Sequence, residues 1–164
     1  MASKNINVDF ALIKKLADKH TDAMISFLRD IVAIPSFSAG EKAVALRIKK
    51  EMLKVGFEKV FIDDYGSVIG RIGKGSPCLV YDGHIDTVGV ADPKAWAFDP
   101  FKGKVENGFV WGRGASDNKA APVVQIYGLK ILKELLGKKF PGTAYVVGSV
   151  QEEACDGLAL GHAL

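Results

Sequence analysis

The sequence predicts an α/β fold with a mixed, partly parallel sheet, because short strand-like runs alternate with long helical segments. Apolar residues at helical spacing predict a first helix over residues 10–34, and Pro35 ends it because proline disfavours helical geometry in the preceding residue. A second helix is predicted over residues 41–55, with Gly56 as its C-terminal stop. The segment 118–136 is apolar on most sides, so this third helix is expected to be buried.

Strands are predicted between these helices. Short runs rich in β-branched and aromatic residues, bounded by turn-forming residues, predict strands over residues 57–62, 67–72, 78–81 and 143–150. The dipeptide Asn107-Gly108 predicts a tight hairpin turn, whereas residues 86–100 lack periodicity and are expected to form a loop. No internal repeat or low-complexity linker interrupts the chain, so its 164 residues are predicted to form one domain.

The composition narrows the class of protein. Hydrophobic residues make up 48% and charged residues 25%, which excludes disordered and collagen-like chains. The net charge of +3 and the scattered lysines argue against a nucleic-acid partner. The N-terminal residues lack a secretion signal, and no apolar run approaches the ~18 residues of a membrane span, so a soluble, cytoplasmic protein without a membrane partner is predicted. Cys78 and Cys155 lie outside any CxxC pattern and are predicted to be reduced thiols in or near the core.

Polar residues cluster at three places where apolar elements end or begin. The sequence DGHID at residues 82–86 directly follows one predicted strand, and QEE at residues 151–153 follows another. The sequence GRGASDNK at residues 112–119 precedes the third helix. Ligands of open α/β sheets bind beyond the carboxyl ends of the strands, so one pocket is predicted to collect all three clusters.

His84 and Asp86 have the spacing of a metal ligand and the carboxylate that orients it, because a metal-bound imidazole usually donates its other N–H to a carboxylate. Taken alone, a histidine near a strand end is more often a structural residue. Asp117 has two interpretations as well. It fits the N-cap of the following helix, and it fits a carboxylate that bridges two cations.

Glu152 and Glu153 end a strand that is expected to be buried. Neighbouring residues of a regular strand point to opposite faces, so both can reach one site only if the strand breaks there. Exposure of both side chains is the alternative. Unpaired buried carboxylates are costly, and metal ions would supply the missing positive charge. Histidine and carboxylate ligands suit Zn²⁺, with Co²⁺ or Mn²⁺ as substitutes, and two ions ~3.5–4 Å apart would explain a bridging carboxylate.

These three motifs together resemble the acetylornithine deacetylase / succinyl-diaminopimelate desuccinylase / carboxypeptidase G family of dizinc metallopeptidases and amidohydrolases. The sequence IPSFSAGEKAVA at residues 34–45 is also similar to that family, so the resemblance covers nearly the whole chain. Residues 82–90 and 111–119 are most similar to a hydrolase subgroup linked to selenium metabolism. The resemblance implies a three-layer αβα catalytic domain of the zinc-exopeptidase type.

The resemblance also implies a role for each candidate residue. His84 would ligate one zinc ion with Asp86 behind it, and Asp117 would bridge both ions and precede a cis peptide bond. Glu153 would ligate the other zinc ion. Glu152 would act as general base, taking a proton from the attacking water and returning it to the leaving amine. The implied substrates are small molecules or peptides, namely N-acyl amino acids or short peptides with a free carboxylate.

The family's later ligands, an acidic residue and a histidine near the C-terminus, have no counterpart before Leu164. The lid domain through which the full-length family dimerises is missing too. Residues 1–164 are therefore expected to be the N-terminal portion of a truncated catalytic domain, weakly active or inactive, with each zinc ion one ligand short of the usual three. His162 could supply a ligand, but its position near the terminus favours a flexible tail residue.

Two further interpretations stay open. A folded α/β remnant could act as a metal-binding or interaction module without catalysis. Nucleotide binding is disfavoured, because neither GKG at residues 73–75 nor GRG at residues 112–114 extends to a phosphate-binding pattern.

Overall fold

A computed structural model describes residues 9–164 and arranges them around a four-stranded sheet. The helices of this described part are α1 (Phe10–Val32), α2 (Lys42–Lys54), α3 (Ala120–Leu136), α4 (Glu152–Cys155) and α5 (Leu158–Ala163). Its strands are β1 (Lys59–Ile62), β2 (Val68–Gly73), β3 (Cys78–His84), β4 (Lys104–Glu106), β5 (Phe109–Trp111) and β6 (Thr143–Ser149). The predicted loop over residues 86–100 contains one 3₁₀ turn, Pro93–Ala95.

The main sheet has the strand order β1-β2-β6-β3. β2 runs antiparallel to both β1 and β6, whereas β3 and β6 run parallel, which confirms the predicted mixed, partly parallel sheet. His84 pairs with Ser149 in the β3–β6 register, so both strands end at the same edge of the sheet. β4 and β5 form a separate hairpin around the predicted Asn107-Gly108 turn.

The helices α2 and α3 pack on one face of the sheet, and α1 packs against both of them. Alternate residues of β2 and β6 point into this layer, as the period of a strand requires. The apolar core there includes Phe27, Ile31, Val44, Ile48, Met52, Val68, Ile72, Val123, Ile126 and Val146. α5 lies against the opposite face, where Ala163 borders a cleft with Tyr145 and Val147. Helices on both faces agree with the expected three-layer arrangement.

Glu51 is a buried polar residue within the helical layer, with a relative exposure of 1%. Its carboxylate accepts hydrogen bonds from Tyr127 at 2.7 Å, Arg47 at 2.9 Å and Lys54 at 3.1 Å. Burial opposes the charged form, but these donors outweigh it and hold the pKa of Glu51 below its ordinary value. Asp30 also pairs with Arg47, at 2.9 Å, so this cluster balances two carboxylates with two cations.

Two expectations about burial are wrong. Cys78 and Cys155 are exposed free thiols, because Cys78 begins β3 at the edge of the sheet and Cys155 ends the four-residue helix α4. α3 is buried on one side only. Val124 is 59% exposed and Leu132 is 37% exposed, since the described residues leave part of this helix surface uncovered. None of the helices within residues 9–164 is long and apolar enough to cross a membrane.

Candidate metal centre

The three predicted polar clusters meet at one edge of the sheet. β3 continues three residues beyond its predicted end at residue 81, so that His84 is its last residue, and β6 ends beside it at Ser149. Glu152 and Glu153 begin α4 just after β6, and Asp117 lies shortly before α3. The carboxyl ends of two parallel strands therefore carry candidate ligands, as expected for sites in open α/β sheets.

Gly83 allows the start of α3 to lie directly against the end of β3. A Cβ atom at position 83 would be 2.7 Å from the Cβ of Ala121 and 3.1 Å from the Cδ of Pro122. Both neighbours are rigid, so any side chain here would push α3 outward. The glycine thus keeps the segment before α3, which contains Asp117, close to His84.

The candidate ligand atoms converge around the imidazole of His84. Its Nε2 atom lies 3.0 Å from Oδ1 of Asp117 and 3.7 Å from Oε2 of Glu152. His84, Asp117 and Glu153 each offer a ligand atom within 4.8 Å of the others. Asp117 and Glu153, which lie 33 and 69 positions after His84 in the sequence, thus bring ligand atoms close to it in the fold.

Asp86 contacts both His84 and the backbone of the two glutamates and so positions the candidate ligands. Its side chain is fully buried, and it accepts hydrogen bonds from the backbone N–H groups of Glu152 at 3.1 Å and Glu153 at 3.2 Å and from the Ser38 hydroxyl at 2.7 Å. The Nδ1 atom of His84 lies 3.1 Å from the backbone oxygen of Asp86 and 3.4 Å from its Oδ1. In the tautomer with its proton on Nδ1, the imidazole would donate to Asp86 and present Nε2 to a metal.

A sharp turn at Gln151 brings both glutamates to the site. Its backbone is left-handed, with φ of 58°, and its N–H donates to the buried carboxylate of Glu41 at 2.9 Å. The strand ends before this turn, and Glu152 and Glu153 follow it in α4. The strand break that the sequence required for both carboxylates to reach one site is present.

Lys119 anchors the loop that contains Asp117. Its side chain is fully buried, and its ammonium group donates to the backbone oxygens of Ile31 at 2.9 Å and Ile34 at 2.8 Å, at the C-terminal end of α1. Burial lowers the pKa of Lys119 to about 8. The Asp117–Asn118 peptide bond is cis, as the resemblance implies.

Sequence reasoning missed three residues that support this site: Ser38, Glu41 and Lys119. All three lie inside or next to motifs that had been recognised, since Ser38 and Glu41 belong to residues 34–45 and Lys119 ends the GRGASDNK motif. The signal that could have identified them is their position: they are polar residues inside recognised motifs and are not candidate ligands themselves.

The electrostatics of the site favour a bound cation. Four carboxylates, those of Asp86, Asp117, Glu152 and Glu153, surround one imidazole, and no lysine or arginine within residues 9–164 forms an ion pair with any of them. Burial disfavours the charged imidazole, but the bonds to Asp117 and Asp86 and the nearby negative charges outweigh it, so the pKa of His84 is raised. Imidazole and carboxylate donors are a ligand set that suits divalent transition metals.

A mixed α/β sheet with such a ligand set at its carboxyl edge defines a candidate metal-dependent hydrolase fold. Residues 80–162 match the peptidase family M20/M25/M40, and the chain belongs to this family. The match confirms the resemblance inferred from the three motifs.

Relatives of known sequence and structure agree with this assignment. The chain is 48% identical over 152 residues to the protein YgeY of Escherichia coli K12, an alignment that covers 93% of this chain and 38% of YgeY. It is 30% identical over 145 residues to the succinyl-diaminopimelate desuccinylase of Methylobacterium radiotolerans, covering 84% of this chain and 37% of that protein. Human carnosine dipeptidase 1 has a similar fold, with a TM-score of 0.76 at 21% identity over 93% of this chain and 36% of that chain. The chain thus spans less than two fifths of these relatives.

Proposed function

We propose that the chain provides the metal-binding part of a hydrolase active site that cleaves amide or peptide bonds in N-acyl amino acids or small peptides. One observation carries this proposal. His84, Asp117 and Glu153, which belong to three separate motifs, bring ligand atoms within 4.8 Å of one another at the carboxyl edge of the sheet. Membership of a peptidase family supports a hydrolytic reaction.

We propose two zinc ions, with Asp117 shared between them. Donors on one zinc ion lie at most ~4.2 Å apart, because each is ~2.1 Å from the metal. The 3.0 Å between His84 Nε2 and Asp117 Oδ1 fits one ion. With Glu153 included, the ligand atoms still lie within 4.8 Å of one another, which leaves room for a second ion ~3.5–4 Å from the first, as the family resemblance implies.

Zinc ions bound here would lower the pKa of a water molecule and polarise a substrate carbonyl. Glu152 is placed to serve as general base, because its carboxylate is 40% exposed and approaches the ligand atoms, with Oε2 3.7 Å from His84 Nε2. It would accept the proton of the attacking water and deliver it to the leaving amine. Asp86 would fix the imidazole of His84 and the backbone of both glutamates.

Three ligand residues are too few for two zinc ions, each of which normally has three protein ligands in a catalytic site. We therefore propose that further ligands come from parts of the whole protein outside this chain. The chain covers only 38% of its relative YgeY. The 164-residue chain alone would then bind zinc weakly and hydrolyse slowly or not at all.

Isothermal titration with Zn²⁺ tests the site in this chain, and hydrolysis of N-acetyl amino acids tests the reaction in the whole protein. Zinc binding should be weakened by Asp117→Asn and Glu153→Gln, whereas Glu152→Gln should keep zinc and lose hydrolysis. The matched control is Glu106→Gln, a carboxylate on the β4–β5 hairpin that pairs with Lys104. Zinc binding that survives both ligand substitutions would refute the assignment. Unchanged hydrolysis in Glu152→Gln would refute its role as base.

A further inference from the structure

One short segment forms hydrogen bonds with all three motifs of the candidate metal centre. This segment is the α1–α2 connection, residues 33–41, which joins the end of α1 to the start of α2. It bonds to the DGHID motif, to the GRGASDNK motif and to the QEE motif. None of the residues 33–41 belongs to the candidate ligand set itself. Since the three motifs are distant in sequence, a segment that contacts all of them can set the spacing between their ligands.

The middle of the connection runs beside the end of β3. Ser36 is fully buried, and its hydroxyl donates to the backbone oxygen of Ile85 at 2.7 Å. Its backbone oxygen accepts a hydrogen bond from the N–H of Thr87 at 2.9 Å. The Ser38 hydroxyl donates to the carboxylate of Asp86 at 2.7 Å. The three residues directly after β3 are therefore bonded to the connection, which fixes the path of the chain beyond the strand.

The last residue of the connection, Glu41, bonds to the turn before the paired glutamates. Its side chain is 5% exposed, and its carboxylate accepts a hydrogen bond from the N–H of Gln151 at 2.9 Å. Gln151 has the left-handed backbone conformation, which residues other than glycine rarely adopt. An ionised acceptor makes such a bond roughly twice as strong as a neutral one. Glu41 therefore helps to hold the turn from which Glu152 and Glu153 extend.

The beginning of the connection contacts the third motif. The buried ammonium group of Lys119 donates to the backbone oxygen of Ile34 at 2.8 Å and to that of Ile31, in the last turn of α1, at 2.9 Å. The N–H of Lys119 donates to the backbone oxygen of Gly114 at 2.9 Å, which closes the loop around Asp117. The loop that carries the candidate bridging ligand is thus tied to the same connection.

A strained residue lies between these contacts. Ala39 has a φ of 68°, in the left-handed region that disfavours residues with a Cβ atom. Such a conformation persists only where the surrounding structure holds it. The bonds on either side, from Ser38 to Asp86 and from Gln151 to Glu41, are contacts that can do so.

We propose that the α1–α2 connection positions the ligands of the candidate metal centre, and that Glu41 is the residue through which it positions Glu152 and Glu153. The proposal rests on the proposed function and identifies positioning residues for the same site. Because one segment is bonded to all three motifs, the spacing between the ligands depends on hydrogen bonds that the ligands themselves do not make.

Amide hydrogen exchange of the metal-free 164-residue chain, followed by NMR, tests the role of Glu41. In Glu41→Leu, the amide of Gln151 should exchange about tenfold faster or more, because it loses its acceptor. The amides of Glu152 and Glu153 should also exchange faster, because their turn loosens. The amide of Val146 in the middle of β6 should not change. No change at Gln151, or an equal increase at Val146, would overturn the proposal.

Glu41→Gln is the matched variant, because its amide oxygen still accepts a hydrogen bond from Gln151. Exchange at Gln151 should stay within about threefold of the wild-type rate. Zinc affinity, measured by competition with a zinc-sensitive dye, should fall about tenfold or more in Glu41→Leu and stay within about threefold in Glu41→Gln. Equal losses in the two variants would overturn the positioning role, as would an unchanged affinity in Glu41→Leu.

A second pair of variants tests the connection at Ser38. Ser38→Ala removes one neutral donor from Asp86 and should weaken zinc binding about fivefold. The control Thr143→Val removes a hydroxyl that donates to the backbone oxygen of Gly75 at 2.8 Å, at the start of β6 and far from the metal centre. It should leave zinc affinity unchanged. Equal effects of the two substitutions would overturn the proposal.

Zinc titration of the ligand variants separates this proposal from the one on which it rests. Zinc binding that is lost in Asp117→Asn and Glu153→Gln, but is unchanged in Glu41→Leu and Ser38→Ala, would overturn the role of the connection alone. Zinc binding that ignores Asp117 and Glu153 would overturn the metal site. Amide exchange in the metal-free chain would then decide alone whether Glu41 holds the turn.

Discussion

Two buried carboxylates of this protein, Glu51 and Asp86, both have full sets of hydrogen bonds, yet their surroundings differ in charge. Glu51 receives bonds from Arg47 and Lys54, so its charge is neutralised by the protein itself. Asp86 receives them from two backbone N–H groups and the Ser38 hydroxyl, which are neutral donors. Both carboxylates therefore have hydrogen-bond donors, but only the negative charge of the Glu51 cluster is neutralised by neighbouring cations.

The two clusters also differ in exposure. The Glu51 carboxylate is closed off inside the helical layer, whereas the carboxylates beyond Asp86 face outward, with Asp117 81% exposed and Glu152 40% exposed. The first arrangement stabilises the fold. The Asp86 cluster leaves the negative charges of Asp117 and Glu152 exposed to solvent, next to backbone that Asp86 holds in place. A cation site needs such an arrangement.

The largest effect on stability is expected in the Glu51 cluster. Glu51→Ala should lower the free energy of unfolding by about 3–5 kcal/mol, because it leaves Arg47 and Tyr127 without their buried partner. Zinc affinity should not change. Urea unfolding followed by circular dichroism measures the loss, with Glu58→Ala, in an exposed pair with Lys133, as a control that should cost within about 1 kcal/mol. A loss no larger than that of the control would contradict the structural role of Glu51.

The second largest effect is expected at Asp86, which positions the candidate metal ligands. Asp86→Asn should weaken zinc binding by about 10–100-fold, because it loosens both His84 and the backbone of the glutamates. The control is Asp63→Asn, since Asp63 also accepts several backbone N–H groups but orders a turn between β1 and β2. Competition with a zinc-sensitive dye gives both affinities. Equal zinc affinities of the two variants would show that Asp86 does not position the ligands.

Charge imbalance predicts that removing a carboxylate can stabilise the metal-free protein. At pH 8, Asp117→Asn should raise the free energy of unfolding by up to about 1 kcal/mol, because it relieves repulsion at a solvent-screened position. Asp18→Asn, which removes an exposed carboxylate paired with Lys14, should be neutral or slightly destabilising. Denaturant unfolding in the presence of a chelator makes the comparison. A clear destabilisation by Asp117→Asn alone would argue against the imbalance.

The smallest effect is a dependence on pH. The raised pKa of His84 means that its contribution to stability is fully present below its unfolded value of 6.5 and is lost as pH rises through the folded pKa. Metal-free protein should therefore lose stability on passing from mildly acidic to alkaline pH, and this component should be absent in His84→Ala. In the presence of zinc, stability should instead increase as the pH rises over this range, because zinc binds the neutral imidazole. Thermal unfolding across this range, with and without zinc, checks both signs.

Much of the site could be predicted because its ligands sit where strands end. The strand before His84 and the strand before Glu152 are apolar, so polar residues directly after them stand out, and the parallel pairing of β3 and β6 brings them together. The break needed at the paired glutamates followed from the period of a strand alone. Asp117 was ambiguous between a cap and a ligand, and the 3.0 Å approach to His84 favours the ligand.

The remaining features depend on contacts that no local pattern encodes. Glu51 occurs in an ordinary charged segment, and its burial arises from Tyr127, 76 positions away. Lys119 ends a motif that was recognised for Asp117, but its own burial arises from the end of α1, 85 or more positions away. The exposure of Cys78 has the same origin, since it follows from the position of β3 at the edge of the described sheet. The position of the Arg113 guanidinium over the Trp96 ring, 5.4 Å from its centroid, likewise arises from the path of a loop.

The central claim is that the unbalanced carboxylates and His84 form a cation site. ¹⁵N NMR of imidazole-labelled protein tests it most directly, because the chain has only three histidines, His20, His84 and His162. Titration with Zn²⁺ should shift the Nε2 resonance of His84 by direct coordination, leave its Nδ1 protonated toward Asp86, and spare His20 and His162. Zinc-induced shifts confined to His20 or His162, or no shift at His84 at saturating zinc, would contradict the account.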